Sequence, residues 1–358
     1  MRFAFVGLGR AARVFHLPAL KLVAGTSVVG GCDGDAAQRE SWARETGTPA
    51  YETLDELLAE TTADALVVAT PPASHADICV RAVDAGLHVY CEKPFVQSVE
   101  EADRVIAAAD AAGRIVAVNH EFRAKPIFRV IRDNVEAGRY GRLVFCQVWQ
   151  LMELAPWDEP TAWRAGMANR TLLEGGVHLV DLVLTIFGEQ PVSVTAAHSA
   201  GFHEQRDADA IHLVTIEFPG GRLAQITIDR LCRAGTRYLE VRADCEQASL
   251  RASLGGRAVL QAGMKRAEKT GIRFDLAAGG LAWAEQGLRR TTLAKASRDA
   301  GVQGTAALLR GFVEAARTGG EPPSSAREAR QGLEVIEAAY LSAESGRRVD
   351  LAGVADRA

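Results

Sequence analysis

The chain has 358 residues, of which 48% are hydrophobic and 24% are charged, as is typical of globular proteins with buried cores. Its length suggests about two domains. The 41 basic and 45 acidic residues are interspersed, which argues against nucleic acid or an anionic membrane as a main partner. The N-terminus lacks signal-peptide features, no apolar run is long enough to span a bilayer, and six scattered cysteines form no C-x-x-C pair. We therefore expect a cytoplasmic protein with reduced thiols and no metal site.

A short N-terminal strand leads directly into Gly7-Leu8-Gly9-Arg10-Ala11-Ala12 and then into a helix-like segment in which Pro18 predicts an irregularity. This is a G-x-G-x-x-A loop in the strand–turn–helix context of a dinucleotide-binding fold. Gly7 permits a tight turn, Gly9 lets the backbone approach a pyrophosphate, and the small Ala12 allows close packing of the helix on the strand. The loop residues predicted to contact the cofactor are Gly7, Gly9, Arg10 and Ala11.

A second strand over residues 27–32 ends at Asp33, which follows Ala12 by 21 residues. A carboxylate at this position suits the ribose hydroxyls of the adenosine and repels a 2′-phosphate. Gly34, the next residue, offers no cation to such a phosphate. The sequence therefore predicts NAD as the cofactor in preference to NADP.

Strands and helices keep alternating up to residue 118, which predicts a doubly wound parallel sheet of the Rossmann type. The strand over 65–69 ends at Thr70, Pro71 and Pro72, and His75 follows at the start of a helix that Ser74 is expected to cap. Ligands bind at the carboxyl ends of such strands. We therefore expect cofactor contacts from Thr70, Pro71, Pro72 and His75, although His75 could instead be a surface histidine at a helix start.

The next strand, over 87–91, delivers Glu92-Lys93-Pro94 to the same edge of the sheet. Lys93 is thereby a mobile cation at the edge where ligands bind. Pro94 ends the strand, and we expect the Lys93–Pro94 bond to be cis.

After residue 121 the alternation stops, so we predict a Rossmann domain over 1–121 and an α+β domain over 122–358. Five strand-like runs between 193 and 252 have no helix between them, which predicts a large, mostly antiparallel open sheet. Apolar positions on its open face predict a homodimer or homotetramer through that sheet. Residues 264–300 fit either a helical insertion or a mobile loop, and the two C-terminal helices are expected to pack on the first domain.

A predicted helix over 174–187 begins with Glu174-x-Gly176-x-His178-x-x-Asp181. Residues four apart share one helical face, so Glu174 should lie beside His178 and tune an imidazole that exchanges protons near neutral pH. Ordinary capping acids beside a buried histidine would give the same pattern. A metal site would need a second histidine at matched spacing, which this segment lacks.

The chain resembles the Gfo/Idh/MocA oxidoreductase family over essentially its whole length. The motifs that carry the resemblance occur in the expected order, namely Gly7-x-Gly9, Asp33, Thr70-Pro71-Pro72-x-x-His75, Glu92-Lys93-Pro94 and the helix with Glu174, His178 and Asp181. The resemblance implies that Lys93 and His178 are catalytic, and that Glu92 and Lys93 contact the cofactor. Glu174 stands where the family usually has an aspartate, so it has the same charge on a longer arm.

The resemblance also implies a set of substrate contacts, which are Lys93, His120, Arg123, Trp163, Arg164 and His178. Glu121 replaces a residue that is often basic or aromatic in the family. Arg123 and Arg164 could instead be surface cations, and Trp163 could be a core anchor.

These residues together predict reversible hydride transfer between a secondary alcohol carbon and NAD, with a small polyhydroxylated substrate such as a sugar, cyclitol or sugar derivative. In this mechanism His178 takes the hydroxyl proton, Lys93 stabilises the developing alkoxide, and Glu174 orients or relays to His178. The same fold also serves non-catalytic NAD-dependent sensors and redox-assisted glycoside-cleaving enzymes that retain NAD. These two classes stay as alternatives.

Overall fold

The computed structural model describes residues 1–153, 167, 170–199, 209–233, 238–254, 257–265, 268–277 and 279–351. The described residues fall into two compact units. The first lies within Met1–Ala124, Glu159–Asp181 and Gly301–Tyr340, and the second within Lys125–Asp158, Leu182–Ala300 and Leu341–Ala358. The division into consecutive domains at residue 121 stays a prediction, while His178 belongs by its contacts to the same unit as Lys93.

The first unit is built on a six-stranded sheet. Its strands are β1 (Arg2–Val6), β2 (Ser27–Cys32), β3 (Ala50–Tyr51), β4 (Ala65–Val68), β5 (His88–Cys91) and β6 (Val116–Val118). All are parallel and lie in the order β3-β2-β1-β4-β5-β6. This is the doubly wound Rossmann order, and it confirms the predicted sheet. The helices up to residue 124 are α1 (Leu17–Leu20), α2 (Ala36–Thr46), α3 (Leu54–Glu60), α4 (His75–Asp84), α5 (Val99–Ala112) and α6 (Glu121–Ala124).

The helix after the glycine loop begins with a π-helical turn, Ala12–His16, which continues into α1. In this turn the N–H of Leu17 donates to the carbonyl of Ala12, five residues back. Pro18 has no N–H to donate, so the regular hydrogen-bond ladder is interrupted here. Such single π turns occur often at functional sites. The irregularity expected at Pro18 is confirmed, and it places His16 at the end of the π turn.

Polar side chains fix the starts of three helices in the first unit. Asp35 accepts from the N–H of Ala37 at α2, Thr53 forms a reciprocal capping box at α3, and Ser98 accepts from the third N–H of α5. The cap expected from Ser74 is wrong, because a short 3₁₀ turn precedes α4 and turns the Ser74 hydroxyl toward Thr70 Oγ1, 2.8 Å away.

The remaining helices in chain order are α7 (Pro126–Glu136), α8 (Val177–Phe187), α9 (Ala300–Thr318) and α10 (Ala326–Ser345). Residues of α9 share a core with the first sheet, where Phe312 packs against Phe3 with ring centroids 6.2 Å apart. A Cβ on Gly304 of α9 would lie 2.7 Å from the carbonyl oxygen of Glu121. Glycine therefore lets α9 approach the segment that follows β6.

The second unit contains a nine-stranded sheet. Its strands are β7 (Leu143–Leu151), β8 (Ser193–Ser199), β9 (Ile211–Phe218), β10 (Arg222–Asp229), β11 (Tyr238–Cys245), β12 (Ser249–Leu254), β15 (Gly280–Gln286), β16 (Arg289–Ala296) and β17 (Val349–Asp350). A separate hairpin pairs β13 (Arg257–Lys265) with β14 (Glu268–Ala277). Among the described strand pairs of the large sheet, only β7–β10 is parallel, so the predicted mostly antiparallel sheet is confirmed.

Both interpretations of residues 264–300 were wrong, because β14, β15 and β16 occupy most of the segment. Its many Arg, Lys and Ala residues have weak strand preference, and cross-strand pairing overrides it. Among the described residues, no helix has the length and hydropathy needed to cross a bilayer.

Candidate active site

Lys93 follows β5 at the carboxyl edge of the first sheet, and its peptide bond to Pro94 is cis, as expected. Its Nζ donates to two oxygens of Glu174, the backbone carbonyl at 3.1 Å and Oε1 at 3.3 Å. The lysine side chain is 19% exposed and the glutamate side chain 7%. The ammonium is therefore held in a half-buried position by a nearly buried carboxylate.

Glu92, the residue before the lysine, is the centre of a buried hydrogen-bond network. Its Oε1 lies 2.7 Å from Nε2 of His16 and accepts from Nδ2 of Asn119 at 2.7 Å, while its Oε2 accepts from the backbone N–H of Lys93 at 3.1 Å. The Tyr90 hydroxyl donates to Oδ1 of Asn119, which orients the amide toward Glu92. Burial opposes ionisation of Glu92, but the bonds to His16 and Asn119 outweigh it and lower its pKa to about 2.

His75 connects the loop that follows β4 with the loop that follows β5 and carries Lys93. Its Nδ1 lies 3.0 Å from the carbonyl oxygens of Pro94 and Phe95, and its Nε2 lies 2.8 Å from the carbonyl oxygen of Thr70. The ring is fully buried, and burial lowers its pKa. The predicted cofactor contact of His75 stays a prediction, since the contacts seen here hold Thr70 and Pro94 in place.

Glu174 and His178 lie on a helix that changes its winding between them. Thr171–Gly176 is a π-helical turn, and α8 begins at Val177. The His178 ring stacks on Phe122 with centroids 4.1 Å apart, and its Nδ1 lies 4.0 Å from Oε2 of Glu121. A Cβ on Gly176 would lie 2.6 Å from the Leu172 side chain, so glycine suits the packing of this turn.

Arg123 lies buried in an ion-pair cluster. It donates through Nε and Nη2 to both carboxylate oxygens of Asp181, and through Nη1 to Oε2 of Glu328 at 2.7 Å. Burial disfavours its charge, but the two carboxylates outweigh burial and raise the pKa of Arg123. His120 is also buried, with Nδ1 3.9 Å from Asp181, and burial lowers its pKa. Substrate contact by Arg123 and His120 stays a prediction, and the geometry gives Arg123 a structural role beside α8.

The glycine loop after β1 has the form of a pyrophosphate cradle. Gly7 has φ +82°, and a Cβ there would lie 2.6 Å from the carbonyl carbon of Ala69, so only glycine fits. A Cβ on Gly9 would meet no described atom within 4 Å, so its backbone is open to close approach. Asp33 Oδ2 accepts from the N–H of Leu8 at 2.8 Å, which ties this carboxylate to the loop. These residues fit a dinucleotide.

Two family descriptions match the chain, and together they cover more than half of it. An NAD-binding Rossmann domain of the oxidoreductase family matches residues 1–120, and a GFO/IDH/MocA C-terminal domain matches residues 128–251. The chain belongs to the Gfo/Idh/MocA oxidoreductase family. It is an oxidoreductase with an NAD(P)-binding Rossmann domain.

Three relatives illustrate the similarity. The chain is 28% identical to a 1,5-anhydro-D-fructose reductase from Ensifer adhaerens, over 63% of this chain and 68% of that protein. It is 25% identical to a D-apiose dehydrogenase from Paraburkholderia graminis, over 97% of this chain and 89% of that protein. The structure of GenD2 from gentamicin A biosynthesis, in complex with NAD, is 25% identical with a TM-score of 0.79, covering 99% of this chain and 97% of that chain. The chain spans between about half and nine-tenths of the length of the curated relatives it matches.

The structure pairs Lys93 with Glu174 and brings the rings of His120 and His178 to a centroid distance of 6.4 Å. Lys93, Glu92, Glu174, His178 and His120 belong to one compact unit. Residues 170–181 belong to the first unit by their contacts, a fact that spacing along the chain does not reveal. Trp163 and Arg164 lie outside the described residues, so their substrate contacts stay predictions.

His16, Tyr90 and Asn119 join the network around Glu92 but were not among the predicted site residues. The signal for His16 was weak, because a single histidine in the second turn of a helix is usually a surface residue. Here it is fully buried. Arg10 and Pro71 are exposed and Pro72 is buried, and their predicted cofactor contacts stay predictions.

Proposed function

We propose that this protein is an NAD-dependent dehydrogenase or reductase that acts on a secondary alcohol or ketone carbon of a sugar, cyclitol or sugar derivative. One observation carries the proposal. A half-buried lysine ammonium, held by Glu174, lies at the carboxyl edge of the nucleotide-binding sheet, and Glu174 precedes His178 by about one helical turn. The sugar dehydrogenase and reductase among the relatives support the substrate class.

In the oxidising direction, Lys93 donates a hydrogen bond to the substrate hydroxyl oxygen and stabilises its alkoxide character. His178 takes the hydroxyl proton, and its stacking on Phe122 holds the ring in place. Glu174 accepts a hydrogen bond from the Lys93 ammonium and thereby orients it, so we assign Glu174 an orienting role and not a proton relay. Bound NAD supplies the hydride acceptor. In the reducing direction His178 returns the proton to the substrate oxygen, while Lys93 donates a hydrogen bond to that oxygen.

The cofactor preference rests on Asp33. Its carboxylate follows β2 and is fixed to the glycine loop by the Leu8 N–H. From there it can accept from ribose hydroxyls and repel a 2′-phosphate, which favours NAD over NADP. Arg39 donates to the backbone carbonyls of Asp33 and Gly34, so that nearby cation is already engaged.

The decisive experiment is a panel of polyols, sugars, phosphorylated sugars and nucleotide-linked sugars, scored by NADH absorbance with NAD and NADP in parallel. The Lys93→Ala variant serves as a control, and we expect it to lose at least about 100-fold in turnover while NAD binding by calorimetry is unchanged. Equal turnover of wild type and Lys93→Ala would refute the assigned role. Tightly held NAD without net NADH release would instead favour redox-assisted glycoside cleavage, and NAD binding without turnover would favour a sensor.

We also propose a homodimer or homotetramer that forms through the open face of the large sheet. Leu213 and Leu223 on that face are 49% and 41% exposed. Phe145 pairs with Leu223 in the strand register and Trp149 pairs with Thr227, the neighbour of Leu213, and both aromatic residues are half-buried. Light scattering should give two or four chains per particle, and Leu213→Glu should lower that number. A monomeric wild type would refute this proposal. A cytoplasmic location stays a prediction.

A further inference from the structure

We propose that His16 is a positioning residue for Lys93 and that it acts through the carboxylate of Glu92. The inference rests on the proposed function, in which Lys93 stabilises the substrate oxygen. It goes beyond that function because it links the helix that follows the cofactor loop to the lysine that meets the substrate.

The link is a continuous path of short contacts. His16 ends the π turn that starts at Ala12, the last residue of the glycine loop. Its Nε2 lies 2.7 Å from Oε1 of Glu92, and Oε2 of the same carboxylate accepts from the N–H of Lys93 at 3.1 Å. The side chain of His16 is fully buried and that of Glu92 is 12% exposed, so water competes little for these bonds.

The direction of the first bond follows from the surroundings of the imidazole. Among the described residues, Nδ1 of His16 is buried without a hydrogen-bond partner. A proton on that atom would be a buried donor with no acceptor, which is costly. The proton therefore belongs on Nε2, from which it is donated to Glu92. The carboxylate accepts this bond as an anion, which makes the bond stronger than a neutral one.

The hydrogen bonds from Tyr90 and Asn119 fix the orientation of the Glu92 carboxylate. Tyr90 fixes the amide of Asn119, and Asn119 donates to the same Oε1 that meets His16. With both donors on Oε1, the other oxygen faces the Lys93 N–H. Loss of the His16 donor leaves Oε1 with one partner, so the carboxylate can turn and release the lysine backbone. Misplacement of a catalytic group by about 1 Å can lower turnover about 100-fold.

The π turn connects this hydrogen-bond path to the glycine loop, because His16 is its last residue. It places His16 so that the helix after the glycine loop and the segment that carries Lys93 both hydrogen-bond to the Glu92 carboxylate. His75 holds the carbonyls of Pro94 and Phe95 on the other side of the lysine. Lys93 is thus held at its N–H by the His16–Glu92 pair and just after it by His75.

The test compares two substitutions that differ in hydrogen bonding. His16→Leu keeps an apolar side chain of similar volume but donates nothing, and His16→Gln places an amide N–H near the position of Nε2. We expect His16→Leu to lower kcat about 10- to 100-fold with KM for the alcohol changed less than about threefold, and His16→Gln to restore most of the loss. The double variant His16→Leu/Glu92→Gln should be no slower than Glu92→Gln alone. His16→Asn, whose amide is too short to reach, replaces His16→Leu if the latter does not fold.

Thr26→Val is the matched control. It removes a part-buried hydroxyl that donates to the carbonyls of Leu20 and Val23 instead of to the Glu92 network. We expect Thr26→Val to leave kcat unchanged and to lower thermal stability about as much as His16→Leu does. If Thr26→Val lowered kcat as much as His16→Leu, general destabilisation would explain both and the inference would fail.

A second measurement does not depend on turnover. The chain has six lysines, so reductive ¹³C-methylation gives few NMR signals, and Lys93→Arg identifies the one from Lys93. His16→Leu should shift the Lys93 signal, while His16→Gln and Thr26→Val should leave it near the wild-type position. An unchanged Lys93 signal in His16→Leu would overturn the inference. If the wild type oxidises no alcohol in the panel, the proposed function fails, and the NMR result still decides the His16–Glu92 link.

Discussion

Replacing Glu92 by glutamine should flatten the acid dependence of folding stability. Glu92 has a pKa of about 2 in the folded protein, against an ordinary value of 4.5. Because the folded pKa is lowered, the carboxylate contributes stability that is fully present above about pH 5 and is lost as the pH falls toward 2. Glutamine has nearly the same shape but cannot titrate. The free energy of unfolding of the Glu92→Gln variant therefore lacks this pH-dependent contribution.

The magnitude follows from the two pKa values. A difference of about 2.5 units corresponds to roughly 3 kcal/mol when the carboxylate is fully ionised in both states. Linkage then predicts that wild type loses about 1 kcal/mol between pH 5 and pH 4, and about 2 kcal/mol between pH 5 and pH 3, beyond what Glu92→Gln loses. Burial of the group protects this difference from salt.

The assay is urea unfolding at pH 5, 4 and 3, followed by far-ultraviolet circular dichroism, for wild type and Glu92→Gln. Asp64→Asn is the matched control, because the pKa of Asp64 is also lowered by Arg2 but the pair is exposed. We expect that control to change the pH dependence by less than about 1 kcal/mol. Parallel curves for wild type and Glu92→Gln would refute the buried network as the source of the low pKa.

Three further predictions concern the cofactor loop and the ion-pair cluster. Gly7→Ala should destabilise the fold by about 2–5 kcal/mol in thermal or urea unfolding, because it adds a Cβ at positive φ against the Ala69 backbone. Gly9→Ala, in contrast, should change the free energy of unfolding by less than about 0.5 kcal/mol but weaken NAD binding measured by calorimetry. Asp33→Asn should keep an acceptor for the loop N–H but lower the ratio of kcat/KM for NAD over NADP by about tenfold, and an unchanged ratio would contradict the role of the charge. Arg123→Met should cost about 3 kcal/mol of unfolding free energy, because it leaves a buried carboxylate without its main cation, and a loss below about 1 kcal/mol would show that the cluster is not stabilising.

The sequence by itself determined the elements whose residue types have local causes. The glycine loop, Asp33 at the end of β2 and the alternation of strands and helices predicted the Rossmann sheet, because a tight turn and a buried parallel strand each restrict the residues that can form them. The pattern around Lys93 and His178 also identified the catalytic candidates. These signals depend on residues close together in the chain, and the structure contains the corresponding elements.

Only the tertiary structure decided which side chains meet. Glu174 lies 81 residues from Lys93 along the chain, and its carbonyl and carboxylate both accept from the ammonium. Arg123, expected at the substrate, is buried between Asp181 and a glutamate 205 residues away, because such a charge needs partners when water is excluded. His16 reaches Glu92 across 76 residues through a π turn that no local pattern predicts. Contacts of this kind depend on the packing of distant segments, so spacing can suggest the participants but not their partners.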